Sequence, residues 1–196
     1  PWQQLAKRSG ATLKWFNVTS DGRLDESNID SLITAKTKIV AITQQSNVLG
    51  TIINLEQIIK KAHAVGAIVI VDACQSVPHV AVDVRKLGAD FLTFSGHKAL
   101  GPTGVGVLWG SYELLNELPP FLFGGSMIEN VTMTDATWSQ APRKFEAGVP
   151  NMAQVVGLGA AVKYLQSVGM DAIHKHEQEL TTYLLAELAK IEGIAI

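Results

Sequence analysis

The sequence predicts an α/β protein with a mostly parallel sheet flanked by helices. Apolar, β-branched runs of strand length recur along the chain, and residues 68–71 are continuously apolar, as in strands buried on both faces of a parallel sheet. Between these runs, apolar residues recur three or four positions apart, which is typical of amphipathic helices. Alternating strands and helices favour parallel pairing through right-handed crossovers, so the carboxyl ends of the strands should share one edge of the sheet.

Local signals predict the individual elements. Asn54, with Gln57 three residues later, indicates the start of a helix, and Gly66 marks its end. In chain order, the first part predicts a helix over residues 2–9 closed by Gly10, a strand over 11–18, a short helix over 25–33, a strand over 38–43, the helix after Asn54, and strands over 68–71, 90–94 and 105–109.

The second half of the chain has a different character. Residues 116–150 contain most of the proline and glycine turn signals, which predicts an irregular excursion over the surface, and such loops often carry function. Two helices separated by Gly169 follow, with apolar residues at helical spacing. The last residues, 194–196, form an apolar, strand-like run.

Composition narrows the class of protein. With 196 residues, 47% hydrophobic and 17% charged, the chain can bury a sizeable core. Its net charge of −2 gives no electrostatic case for nucleic acid or an anionic membrane surface, and no apolar run approaches the roughly 20 residues that span a bilayer. Cys74 is the single cysteine, which excludes an internal disulfide and suits a reducing compartment, so we expect a cytoplasmic protein.

The two ends of the sequence are unusual for a complete protein. Pro1 is not an initiator methionine, and no signal-peptide pattern follows it. The run at 194–196 stops without a terminating residue. We therefore expect this chain to be a central fragment of a longer protein, with its domain incomplete at both ends.

Two residues at predicted strand ends are candidates for chemistry. Asp72 directly follows the strand over 68–71, where α/β proteins bind ligands, although it could equally cap the next turn. Lys98 follows the strand over 90–94, where desolvation would make its amine nucleophilic, although a lone loop lysine is more often solvated. Together they match the needs of pyridoxal 5′-phosphate (PLP), which requires a lysine for the Schiff base and an acid that keeps the pyridine nitrogen protonated.

Neighbouring polar residues extend this candidate site. Ser95 and His97 could donate hydrogen bonds to a phosphate, and Gln75 could contact a ring substituent. Asn47, in another loop at the same edge, could hold a ring oxygen or a substrate carboxylate. Each of them also has an ordinary explanation as a loop or surface residue. Cys74 is more simply a small buried hydrophobe than a nucleophile, and no spacing of histidine, cysteine and acidic residues indicates a metal site.

These residues belong to a series of motifs that extends along the chain. The motifs are SNVLG at 46–50, VDACQ at 71–75, SGHK at 95–98, GPTG at 101–104, GGSMI at 124–128, FEAG at 145–148 and PN at 150–151. Together they resemble the class V aminotransferase family of fold-type I PLP enzymes, with the closest match to cysteine desulfurases of the SUF type. The resemblance runs in order over nearly the whole chain.

The resemblance implies a role for each candidate residue. Lys98 would be the catalytic residue, which forms the Schiff base and moves the substrate Cα proton. The implied cofactor contacts are Asp72 at the pyridine nitrogen, Gln75 at the ring hydroxyl, Ser95 and His97 at the phosphate, and Asn47 at the cofactor oxygen or the substrate carboxylate. The implied reaction converts L-cysteine to L-alanine, with sulfur leaving as an enzyme persulfide for a sulfur-acceptor protein in iron–sulfur cluster assembly. The family also implies a homodimer.

The resemblance further implies an aspartate aminotransferase-like fold of PLP-dependent transferases. Residues 1–150 would be part of the PLP-binding large domain, and 151–196 a helical connection into the small C-terminal domain. Val149 departs from the subgroup, which usually has a threonine there whose hydroxyl reaches the phosphate at the partner subunit's site. The family's nucleophilic cysteine, carboxylate-binding arginine and ring-stacking histidine lie outside the chain, so we expect the fragment alone to be inactive.

Other functions remain open from the sequence. A selenocysteine lyase, or another class V enzyme acting on a different amino acid, would share Asp72 and Lys98 and would differ mainly in residues outside the chain. A catalytically dead binding homologue is an alternative of another class. Folding requires neither Lys98 nor Asp72, so their joint presence favours an enzyme.

Overall fold

A four-stranded sheet forms the centre of the structure, a computed structural model that describes residues 1–194. The strands are β1 (Ile39–Thr43), β2 (Ile68–Asp72), β3 (Phe91–Ser95) and β4 (Gly106–Gly110), in the spatial order β1-β2-β3-β4. The pairs β1–β2 and β2–β3 are parallel, whereas β4 runs antiparallel to β3. The predicted α/β class with a mostly parallel sheet is therefore confirmed.

Helices flank this sheet and complete the chain. They are α1 (Trp2–Ser9), α2 (Ile29–Leu32), α3 (Glu56–Ala64), α4 (Val84–Leu87), α5 (Tyr112–Glu117), α6 (Met152–Val168) and α7 (Met170–Leu188). A short 3₁₀ turn at Gly96–Ala99, here called the Lys98 turn, separates β3 from β4. Among the helices of residues 1–194, none is both long and apolar enough to cross a bilayer.

The core lies between α3 and the sheet. Ile58 and Ala62 on α3, and Val69 and Val71 on β2, are fully buried, and all belong to one apolar cluster. Burial of each valine or isoleucine side chain contributes about 1.5–3 kcal/mol. The continuous apolar run of β2 thus occupies the position that its sequence predicts, which fixes Asp72 at the exposed end of a rigid strand.

The predicted strand over 11–18 is wrong. Residues there form no strand, and Val18 makes only an isolated antiparallel bridge with Leu24. A strand needs a neighbouring strand to share its backbone hydrogen bonds. Within the described part of the chain residues 11–18 have only this bridge, beside which the Asp25 N–H donates to the Asn17 carbonyl at 2.9 Å. The predicted helix over 25–33 is shortened to α2, because the Asp25 carboxylate accepts the Ser27 N–H at 3.0 Å and holds a turn instead.

The segment 116–150 is more regular than predicted. It contains a hairpin of β5 (Ile128–Val131) and β6 (Ala136–Trp138), followed by a 3₁₀ turn at Arg143–Phe145. The Thr132 hydroxyl accepts the Asp135 N–H at 3.0 Å, and this side-chain bond closes the hairpin turn. The last two residues of the strand-like run predicted at 194–196 lie outside the described residues.

Candidate active site

Asp72 ends the central parallel strand at the edge of the sheet that the sequence predicts. It is the last residue of β2, in register with Thr43 on β1 and Thr93 on β3. Its Oδ1 accepts the backbone N–H of Cys74 at 2.9 Å, which orients the carboxylate, while the residue stays exposed. The carboxylate is therefore exposed at the end of β2, with one oxygen bonded to the loop that follows.

Lys98 lies in a tightly bonded turn directly after β3. The Gly96 N–H donates to the Val105 carbonyl at 2.9 Å, and the Gly101 N–H donates back to the Gly96 carbonyl at 2.9 Å. Between them, Leu100 has a left-handed backbone with φ of 59°, which is strained for a residue other than glycine. Such strain collects at functional sites, where surrounding contacts hold it in place.

The glycines of this turn allow backbone segments to approach closely. A Cβ on Gly96 would lie 2.8 Å from Val105 Cγ1 and 2.9 Å from the Val105 carbonyl oxygen. A Cβ on Gly101 would lie 2.8 Å from the Gly96 carbonyl oxygen. The turn therefore has little room to shift, which fixes where the backbone of Lys98 sits. The Lys98 side chain is exposed, so the desolvation expected from its sequence position is not provided by residues 1–194.

Cys74 and Ser95 join the Asp72 loop to the Lys98 turn. The Cys74 Sγ and the Ser95 Oγ are 3.6 Å apart, and both residues are partly buried. Ser95 is the last residue of β3 and directly precedes the turn. The structure thus brings Asp72, Ser95 and the Lys98 turn together at one edge, with Cys74 partly buried between them rather than fully buried as the sequence predicts.

A second connection, which sequence reasoning missed, ties the Asn47 loop to the same place. Gln44 follows β1, and its N–H donates to the Asp72 carbonyl at 2.9 Å. The Ser76 hydroxyl, which is fully buried, donates to Gln44 Oε1 at 2.7 Å. This pair joins two loops that are far apart in sequence, and no local sequence signal indicates it.

Four candidate side chains are free to bind a ligand. Asn47, Gln75, His97 and Lys98 are exposed or partly exposed, and within residues 1–194 none of their side chains forms a hydrogen bond or an ion pair. Asn47 lies in the 44–53 loop, which the Gln44 bonds hold against Asp72. All the predicted site residues therefore come from three loops at the same sheet edge.

The chemistry of these side chains fits PLP. Asp72 offers a fixed carboxylate for a protonated ring nitrogen, Lys98 offers an unpaired amine, and Ser95 and His97 offer a hydroxyl and an imidazole beside that amine for a phosphate. A metal centre lacks comparable support, since residues 1–194 contain no group of three histidine, cysteine or acidic side chains placed to hold an ion.

The candidate site residues do not line the main apolar pocket of this chain. An apolar cavity of about 340 Å³ lies elsewhere, between the sheet and the helices α4, α6 and α7, with Leu92, Trp109 and Leu165 among its lining residues. None of the candidate residues lines it. The polar chemistry and the apolar cavity are therefore separate features of the molecule.

Comparison with known proteins places the chain in a family. A family model described as Aminotransferase class-V matches residues 1–196. A probable cysteine desulfurase of Streptomyces coelicolor is 56% identical over 196 residues, which cover 100% of this chain and 47% of that protein. The crystal structure of a cysteine desulfurase from Escherichia coli matches with a TM-score of 0.94 and 38% identity over 98% of this chain and 48% of that one.

A further solved structure shows the same relationship. The apo structure of a cysteine desulfurase from Thermococcus onnurineus NA1 matches with a TM-score of 0.92 and 39% identity, over 96% of this chain and 47% of that one. The chain thus spans about half the length of the relatives it matches. The chain belongs to the class V aminotransferase family of PLP-dependent enzymes.

Proposed function

We propose that the protein containing this chain is a PLP-dependent cysteine desulfurase. The observation that carries the proposal is the pairing of Asp72 and Lys98 at the ends of adjacent parallel strands, joined through the contact between Cys74 and Ser95. The names of relatives that are 51–56% identical support the choice of reaction.

The side chains of this chain divide the work in the proposed site. When bound, PLP supplies an electron sink for the charge that develops on the substrate Cα. Lys98 is the proposed Schiff-base lysine, and its Nζ accepts and returns the Cα proton. Asp72 holds the proton on the ring nitrogen through its carboxylate, which the Cys74 N–H orients. Ser95 and His97 bind the phosphate.

Two further residues position the ring and the substrate. Gln75 follows Asp72 in the same loop and is proposed to donate to the ring hydroxyl. Asn47 is proposed to contact the cofactor oxygen or the substrate carboxylate. The clamp between Gln44 and Ser76 supports both assignments, because it holds the two loops together below the site.

The proposed reaction transfers one sulfur atom. L-Cysteine and an enzyme thiol give L-alanine and an enzyme persulfide, with the thiol supplied by a cysteine outside this chain. The persulfide then passes its sulfur to an acceptor protein for iron–sulfur cluster assembly. We also place the protein in the cytoplasm, where a lone cysteine such as Cys74 stays reduced.

A homodimer and a two-part organisation complete the proposal. Apolar side chains on and beside the start of α6 are each more than half exposed, which is typical of a surface that a partner covers; they are Leu100, Val149, Met152, Val155 and Val156. Residues 1–150 are assigned to the large domain and 151–196 to the connection into a small domain. In support, α7 has no buried residue along its length.

Absorbance of the full-length, PLP-loaded protein tests the cofactor assignment. We expect a near-visible band that disappears in Lys98→Ala and persists in Lys60→Ala, an exposed lysine on α3 that serves as the matched control. Borohydride reduction should fix the cofactor mass on the peptide that contains Lys98. A wild-type protein without the band, or a band that survives Lys98→Ala, would contradict the assignment.

Turnover assays separate the remaining functions. The full-length protein should release alanine from L-cysteine in the presence of a thiol acceptor. Turnover of L-selenocysteine without turnover of L-cysteine would identify a selenocysteine lyase instead. Binding of PLP without turnover of either amino acid would identify a catalytically dead homologue.

A further inference from the structure

The loop that follows the Lys98 turn is bonded to the start of α6. Asn151 precedes α6, and its Nδ2 donates to the Gly104 carbonyl at 2.7 Å, across 47 positions of sequence. Asn151 is the N-cap residue of the helix, but its side chain makes no capping hydrogen bond. The amide group is therefore committed to the 101–104 loop rather than to the helix.

Two packing contacts hold the same loop against the helix. A Cβ on Gly157 would lie 3.0 Å from Pro102 Cγ, so the proline ring rests on the bare backbone of α6 at this glycine. A Cβ on Gly101 would lie 2.9 Å from Leu158 Cδ1, and Leu158 is itself buried. The loop is thus fixed to α6 at Gly101, Pro102 and Gly104.

These anchors bear on Lys98 through the backbone. The Lys98 side chain makes no hydrogen bond within residues 1–194, so only its backbone is held in place. The backbone of the Lys98 turn sets the position of the Lys98 Cα, from which the side chain extends. That turn connects to the anchored loop through Leu100, whose left-handed backbone is strained for a residue other than glycine and is held by the surrounding contacts. Release of the loop would let Leu100 relax and would move the turn.

We propose that Asn151 is a positioning residue for Lys98. Gly157 contributes to the same function, because Pro102 of the 101–104 loop packs against the α6 backbone at this glycine. This inference rests on the proposed function in one respect, that Lys98 is the lysine that binds PLP. Asn151 itself contacts neither the cofactor nor the substrate. It holds the backbone from which Lys98 extends in place relative to the sheet edge where Asp72 lies.

Three substitutions in the full-length protein test the inference. Asn151→Asp is isosteric and removes the donor, and aspartate is as good an N-cap as asparagine, so α6 should start normally. Gly157→Ala pushes a methyl group against Pro102. Gly159→Ala is the matched control, because nothing lies within 4 Å of a Cβ there and both alanines gain the same helix propensity.

The first readout needs no cofactor. Hydrogen exchange of the Gly96 and Gly101 amides, measured after PLP removal, should be about five- to tenfold faster in Asn151→Asp and Gly157→Ala, as expected for the loss of one hydrogen bond. Gly159→Ala should match the wild type. Equal exchange in all four proteins would overturn the inference, and a wild type that binds no PLP would contradict the proposed function without affecting this readout.

The second readout reports on the lysine itself. In the PLP-loaded proteins, the pH midpoint of the near-visible band should shift in Asn151→Asp and Gly157→Ala, and kcat should fall by about tenfold or more with little change in KM. Asn151→Gln, which restores a donor, should recover part of both effects. Faster exchange with an unchanged pH midpoint and kcat would show that the loop is anchored without positioning Lys98, and would also overturn the inference.

Discussion

Replacement of Gly96 by alanine perturbs the Lys98 turn at a closely packed point. The new Cβ would meet Val105 at two atoms, Cγ1 at 2.8 Å and the carbonyl oxygen at 2.9 Å. The side-chain contact can relax by rotation of the valine, but the carbonyl belongs to the backbone that also accepts the Gly96 N–H. Because ordinary Cβ contacts begin at 3.4 Å, the turn must move by about 0.5 Å.

The expected cost follows from these two effects. Overpacking of a close-packed site costs about 1–3 kcal/mol, and a stretched hydrogen bond from Gly96 to Val105 adds about 0.5–1.5 kcal/mol. We therefore expect Gly96→Ala to lower the free energy of unfolding by about 2–4 kcal/mol. Urea unfolding of the full-length protein in its PLP-free form measures this change.

A control variant measures the effect that a glycine-to-alanine substitution has on the unfolded chain, so that this effect can be subtracted. A Cβ added at Gly125 would have nothing within 4 Å, and the backbone there is not left-handed, so Gly125→Ala should be nearly neutral. Val105→Ala combined with Gly96→Ala should recover only part of the loss, because the carbonyl contact remains. A Gly96→Ala protein as stable as the Gly125→Ala protein would refute the reasoning about the turn.

Three further predictions follow from contacts at or near the sheet edge. Ser76→Ala removes a fully buried hydroxyl and leaves the partly buried Gln44 Oε1 without its donor, which should cost about 1–3 kcal/mol in urea unfolding, whereas the exposed Ser167→Ala should cost little. Asp72→Asn should lower kcat by about 10- to 1000-fold with PLP still bound, because a carboxylate raises a neighbouring cation's pKa by about 1–3 units; an unchanged kcat would contradict its assigned role. The Asp83 carboxylate accepts the Lys86 and Arg85 backbone N–H groups at the start of α4, and these bonds lower the pKa of Asp83 below the ordinary 3.8. The contribution of Asp83 to the free energy of unfolding is therefore present above pH 3.8 and is lost as the pH falls through the lowered pKa. Asp83→Asn should flatten this acid limb of the stability curve, and an identical acid limb in both proteins would contradict the assignment.

The sequence was sufficient to predict the scaffold of the site. The continuous apolar run of β2 predicts a strand that is buried on both faces in the interior of a sheet. Asp72, the polar residue after this run, is therefore predicted to lie at the end of the strand. The same reasoning places Lys98 after β3. Their proximity follows from parallel pairing alone, so no knowledge of side-chain contacts was required.

Other features depend on partners that a local pattern does not contain. Residues 11–18 have the alternation of a strand, yet strand formation depends on a neighbour, and none is present for them among the described residues. The hairpin of β5 and β6 was hidden by the turn residues around it, because glycine and proline signal a change of direction equally well in a hairpin and in an irregular loop.

Local sequence indicates the side chains that carry the proposed chemistry, but it does not indicate the side chains that position them. Asp72 and Lys98 are found from local sequence, since Asp72 ends an apolar strand and Lys98 lies in the turn that follows another. Ser76, which pairs with Gln44 across 32 positions, and Asn151, which bonds to the loop after Lys98 across 47, have no local signal at all. Substitutions at Ser76 and Asn151 should therefore change stability, loop exchange or kcat while every residue assigned to touch the cofactor remains in place. That separation is the strongest test of the site, because a chance grouping of polar loop residues would show no such dependence on distant contacts.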